Sequence, residues 1–160
     1  MFKHMLVALD GSRFAERALQ PALQIALRFE SRVTFLRVVA TEPQAVVMGP
    51  GINMGALDMM GQAYEHEMEE SEGYLDSIRR QWSGLGIPVR LEVTRGDPTT
   101  MIVDTAAAVD ADLIVMTTHG RSGLSRLIYG SVAEGVLRSS PIPVLLIPVK
   151  PSGDHNEEPA

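Results

Sequence analysis

The chain has 160 residues, 45% of them hydrophobic, and a formal net charge of −6 from 14 basic and 20 acidic side chains. This length fits one domain with a sizeable core, and the apolar content excludes a disordered body. The acidic balance excludes the basic footprint of a general nucleic-acid binder, but not a nucleotide, because a local nest of backbone N–H groups holds phosphate even in an acidic protein.

The absence of cysteine rules out disulfide scaffolds, thiol catalysis and cysteine zinc sites. No apolar run approaches the ~18 residues of a membrane span. Asp10 interrupts the N-terminal apolar stretch too early for a signal peptide. The expectation is a soluble cytoplasmic protein that binds neither nucleic acid nor membrane.

In chain order, His4 to Leu9 reads as a buried strand and Asp10-Gly11-Ser12 as its exit turn, with Asp or Ser available to cap a helix. Ala15, Ala18, Leu19, Ala22, Leu23, Ala26 and Leu27 recur at helical spacing. Pro21 inside that pattern should kink the helix or start its second segment. Val33 to Val39 is the second strand. Ala40 to Gly61 holds four glycines and four methionines, Met48, Met54, Met59 and Met60, and is expected to be a long loop over one end of the sheet. Tyr64, Met68, Ser71, Leu75, Ile78 and Trp82 mark one face of a long helix. Its acids come early and its bases, Arg79 and Arg80, come late, as the helix dipole favours. That charge run reads as a solvated face.

Pro88 to Val93 is the third strand, Gly96-Asp97-Pro98 a turn and helix start, and Thr100 to Val109 the next helix, with Ile102, Thr105 and Ala106 inward. Asp112 to Met116 is the fourth strand, a helix follows from Ser131, and Val144 to Ile147 is the fifth. Strands apolar on both faces alternate with helices, which implies an α/β domain with a parallel sheet covered on both sides. The domain is placed at 1–150, and the polar, acidic stretch 151–160 is expected to be a disordered tail.

The run from Thr117 to Ser131, T-T-H-G-R-S-G-L-S-R-L-I-Y-G-S, places glycines where a strand ends and a helix begins. There a backbone can approach a phosphate closely, with helix N–H groups aimed at it. The run matches neither G-x-x-x-x-G-K-[ST] nor G-x-G-x-x-G. It does resemble the universal stress protein family in its nucleotide-binding branch, whose signature is Gly, two residues, Gly, nine residues, then Gly-Ser or Gly-Thr. Gly120, the spacer, Gly130 and Ser131 match, while the first position is Thr117. L-V-A-L-D-G-S (Leu6 to Ser12) and P-I-P-V-L-L-I-P (Pro141 to Pro148) extend the resemblance over almost the whole chain.

The resemblance implies a Rossmann-like sheet of order 3-2-1-4-5, which brings Asp10 and the glycine run to one crevice. It implies ATP, with the phosphates on Gly120, Gly130, Ser131 and Val132, and Asp10 at the ribose hydroxyls or at a magnesium ion on the phosphates. Ala8, Leu9, Val38 and Met116 would line the base pocket, and Arg121, less so Arg126, would add charge to the phosphates. At Thr117, a β-branched residue is costly if the backbone needs φ > 0; otherwise its hydroxyl can bond a phosphate.

His119 has no nearby Ser or Cys in a triad pattern and is read as bonding the loop backbone. His4, His66 and His155 are too scattered for a metal site. No general base is aimed at an attacking water and no acidic metal cluster is present, so no catalytic residue is assigned and at most slow ATP hydrolysis is expected. The last strand, with Val144, Leu145, Leu146 and Ile147, would pair with its copy in a homodimer, and regulatory protein partners would read the nucleotide state. The main alternative is a family member that binds no nucleotide and works as a dimeric interaction module. A transferase or ligase on a similar sheet ranks last, since S-G-G-x-D-S is absent.

Overall fold

The computed structural model of the protein describes residues 1–41, 54–119 and 130–149. In chain order these residues form β1 (His4–Ala8), a 3₁₀ turn (Ala15–Ala18), α1 (Leu19–Phe29), β2 (Arg32–Ala40), α2 (Met54–Gln81), β3 (Val89–Gly96), α3 (Pro98–Ala108), β4 (Leu113–His119), α4 (Ser131–Ser139) and β5 (Val144–Val149). The strands make one sheet of order β3-β2-β1-β4-β5, and every pairing is parallel. This is the expected α/β domain.

Alternation along the strands divides the core in two. Met5, Val7, Val33, Phe35, Leu113 and Val115 face α1 and α2, where they meet Ala22, Ala26, Leu75, Ile78 and Trp82. Leu6, Leu36, Ile114 and Met116 face α3 and α4, where they meet Ile102, Ala106, Ala133 and Val136. Burial on both faces explains why the central strands read as continuous apolar runs rather than as polar–apolar alternation. Pro21 behaves as its missing N–H requires: the chain runs as a 3₁₀ turn up to Ala18, and Pro21 is placed in the first turn of α1.

Several boundaries differ from expectation, three of them by the most residues. Residues 54–61, read above as loop, are the first two turns of α2. Met54, Met59 and Met60 are good helix formers, and they outweigh Gly55 and Gly61. The remainder of that stretch, 42–53, lies outside the described residues, as does the tail 151–160. β3 runs on to Gly96, paired with Ala40. β4 runs on through Thr117, Thr118 and His119, paired with Ile147, Pro148 and Val149; two β-branched threonines favour extension.

His4, 5% exposed, opens β1 with its Nε2 2.8 Å from Thr34 Oγ1. Burial lowers its pKa below 6.5, Arg32 and Arg90 push the same way, and the Val109 carbonyl and the Asp112 carboxylate oppose them. The folded state therefore favours neutral imidazole, whereas the unfolded chain takes up a proton near the ordinary value of ~6.5. Stability should fall as pH drops from about 6.5 towards the lowered folded value, and this loss is complete below it. His4→Gln should flatten that part of a thermal-melt pH profile. Identical slopes in the two proteins would contradict the assignment.

Candidate functional site

The sheet changes winding direction between β1 and β4, since β2 and β3 lie on one side of β1 and β4 and β5 on the other. Open parallel sheets bind ligands at the carboxyl ends of the strands at such a point. A cavity of about 430 Å³ lies there, lined by Ala8, Leu9 and Asp10 from the end of β1, Val38 from β2, Met116 and Thr117 from β4, and Gly130, Ser131 and Val132 from the start of α4. Its size falls in the range of small-molecule sites, roughly 300–1,000 Å³. Nine residues singled out from sequence thus meet at one place. Gly120, Arg121 and Arg126 lie outside the described residues.

The start of α4 carries the site's electrostatics. Gly130 is the N-cap and offers no side chain to the helix, and the first turn closes through Glu134 N–H donating to the Gly130 carbonyl at 2.9 Å. The N–H groups before it have no acceptor within the helix, and they add to the positive end of the helix dipole. Among the described residues nothing lies within 4 Å of a Cβ placed on Gly130. The neighbouring α3 is finished differently: Asp97 Oδ1 accepts from Thr100 N–H at 2.9 Å. This bond, joined by the Thr100 hydroxyl, holds the Asp97 carboxyl below its usual range. So of the two helices that start at the cavity, α3 has a side-chain cap and α4 has none among the described residues. The two pack closely, for a Cβ on Gly135 of α4 would lie 2.7 Å from Thr99 Oγ1 of α3.

Thr117 settles its own question by lying inside β4, buried at 8% exposure. It is absent from the positive-φ residues of the described chain, so its β-branched side chain sits in the backbone region that suits it. Asp10 is exposed at the cavity rim. One carboxylate oxygen accepts from Ser12 N–H at 2.8 Å, and Ser12 Oγ in turn accepts from Ala15 N–H at 3.1 Å. Of the two possible caps, Ser12 is therefore the one that serves the 3₁₀ turn, while Asp10 shapes the exit from β1.

Sequence reasoning missed Arg37, Glu67, Pro98 and Ile102, which also line the cavity. Ile102 was read only as an inward helix residue, and Glu67 only as part of a solvated face. Arg37 had a usable signal, since it lies near the carboxyl end of a strand that neighbours β1. Among the described residues no cluster of three or more His, Asp or Glu side chains could hold a metal ion.

The model of the universal stress protein family matches residues 1–148. The chain belongs to that family. Universal stress protein MJ0531 of Methanocaldococcus jannaschii is 30% identical over 147 residues, which is 92% of this chain and 82% of that one. The crystal structure of a universal stress protein family member from Burkholderia pseudomallei is 30% identical, covers 92% of this chain and 97% of its own, and superposes with a TM-score of 0.68. A universal stress protein solved in complex with cAMP is 23% identical over 93% of this chain and 98% of its own, with a TM-score of 0.59; that likeness speaks for the fold. No helix among the described residues of this universal stress protein is long and apolar enough to cross a membrane.

Proposed function

We propose that this universal stress protein binds ATP in the crevice between β1 and β4 and works as a homodimeric, nucleotide-dependent stress-response regulator in the cytoplasm. The observation that carries the reading is the open start of α4, which meets the same cavity as Asp10. Backbone N–H groups at a helix start suit a phosphate, and a glycine there lets it come close. The wall formed by Ala8, Val38, Met116 and Ile102 suits a purine face. The Asp10 carboxylate, with one oxygen engaged by Ser12, suits ribose hydroxyls or a magnesium ion held by the phosphates. Gly120 and Arg121 belong to the same proposal on the phosphate side. The cAMP complex of a family member supports a nucleotide at this fold.

No side chain is assigned a catalytic role. Bound ATP is read as a signal rather than a substrate, passed to protein partners. The dimer would form along β5, the sheet edge beyond β4. Its Leu145 and Ile147 pack towards one core cluster and its Val144 and Leu146 towards the other, so the strand already holds an orderly apolar edge for a second copy. Sedimentation with ATP tests both parts. The expected result is a species of twice 17.4 kDa carrying one ATP per chain. A species without nucleotide absorbance would contradict ATP binding, and a monomer would contradict the dimer.

A further inference from the structure

Arg37, half-buried on β2, lines the cavity, and its guanidinium packs on the exit turn of β1. The place of a Cβ on Gly11 lies 3.2 Å from Arg37 Cζ and 3.2 and 3.4 Å from the two terminal nitrogens. Three nearly equal distances mean that the guanidinium lies flat against Gly11. Gly11 has φ +83°, so the turn and the close approach both call for glycine. Arg37 also lies 5.4 Å from the centroid of the Tyr74 ring of α2, within reach of a cation–π attraction. Tyr74 is itself fixed: its neighbour Leu75 is fully buried, and its hydroxyl donates to Glu16 Oε1 at 3.3 Å. Burial and the Glu16 charge push the phenol up from its ordinary value, so it remains a neutral donor. Glu16 belongs to the 3₁₀ turn that Ser12 Oγ serves through Ala15 N–H. The contacts thus close a ring, from the Asp10-Gly11-Ser12 turn through Glu16, Tyr74 and Arg37 back to Gly11.

That ring matters because of what the turn carries. Leu9 N–H donates to the Leu36 carbonyl at 2.8 Å, and Ala15 is buried. Between these two anchors Asp10 is exposed at the cavity rim. The bond from Ser12 N–H to Asp10 closes the turn on itself, whereas Arg37 ties it to the sheet. A glycine at positive φ has more conformational freedom than any other residue, so a rigid plane against it restricts the turn where restriction counts most. Resting on the nucleotide reading above, in which Asp10 meets the ligand, we infer that Arg37 is a positioning residue: backed by Tyr74, it holds the Gly11 turn so that the Asp10 carboxylate is preset for the nucleotide. A preset group binds more tightly because less freedom is lost on binding. Arg37 acts through Asp10 and not on the nucleotide.

The test is a double-mutant cycle read as ATP affinity by calorimetry, with the parent, Asp10→Asn, Arg37→Ala and the double variant. Asp10→Asn keeps an acceptor for Ser12 N–H and loses the charge. Each single change should weaken ATP about tenfold, the scale of one charge-assisted contact. In the double variant the two losses should not multiply: once Asp10 is changed, removing Arg37 should cost less than about twofold. Losses that multiply overturn the inference, because a direct contact with the phosphates or a general loosening of the fold acts in either background. Arg37→Lys separates charge from shape. It keeps the cation without the plane, so it should lose affinity as Arg37→Ala does, and parent affinity in this variant overturns the inference. Thermal melts check that each variant is folded. If an Arg37 variant does not fold, Tyr74→Leu, which removes the ring behind Arg37, takes its place in the cycle with the same expectation. Parent affinity in Asp10→Asn or in Arg37→Ala overturns the inference and leaves the nucleotide reading intact. A parent that does not bind ATP overturns the nucleotide reading itself.

Discussion

Gly130→Val is expected to weaken ATP binding by about a hundredfold while leaving the fold intact. The two halves of this expectation rest on separate observations. Gly130 has φ −56° and ψ 150°, a conformation open to any L residue, and a Cβ there meets no neighbour within 4 Å among the described residues. The protein without ligand therefore has room for valine. The same open space is what a phosphate would occupy to reach the N–H groups of α4, and an isopropyl group would stand in its way. Losing contacts between an anion and its donors corresponds to roughly 1.5–3 kcal/mol, with every 1.4 kcal/mol a factor of ten. Calorimetry with ATP, paired with circular dichroism, reads both halves. A folded variant with unchanged affinity would show that the phosphates lie elsewhere, and an unfolded one would show that Gly130 serves the fold.

The largest effect on stability is expected at Phe35. Its side chain is fully buried at 0% exposure, and its ring meets Trp82 edge-on, with centroids 4.9 Å apart and planes at 80°. It lies between Val7 of β1 and Leu91 of β3, so it joins three strands to α2. Truncating a phenylalanine in such a place costs about 3–5 kcal/mol, because the transfer loss is joined by a cavity that the surroundings do not fill. This is a large part of the ~5–15 kcal/mol that holds a domain together. Urea unfolding of Phe35→Ala should show a lower midpoint at an unchanged slope. A loss below about 1 kcal/mol would mean that α2 collapses onto the gap. Phe35 directly precedes Leu36, Arg37 and Val38, all of which line the cavity, so this packing also supports the site.

Much of this architecture was legible in the sequence because its signals are local. Runs such as Leu6-Val7-Ala8-Leu9 and Leu113 to Met116 announce strands buried on both faces, and alternation with helices then implies a parallel sheet. The strand order came from the family resemblance, and it is the order that brings Asp10 beside Gly130. The misread segments are those in which local chemistry pointed away from the final structure. Gly55 and Gly61 weaken a helix taken alone, yet α2 runs through them. Thr117 and Thr118 were assigned to a loop motif, although threonine favours a strand. Arg37, Pro98 and Ile102 escaped because a lining residue is defined by neighbours distant in sequence. Arg37 becomes a candidate only once β2 is known to flank β1, with its carboxyl end at the crevice.

The measurement that bears most directly on the central claim is to denature freshly purified protein and identify the released nucleotide by chromatography and mass spectrometry. The expected result is ATP or ADP near one per chain. Protein that releases no nucleotide, and that also fails to take up magnesium ATP in calorimetry, would contradict the account.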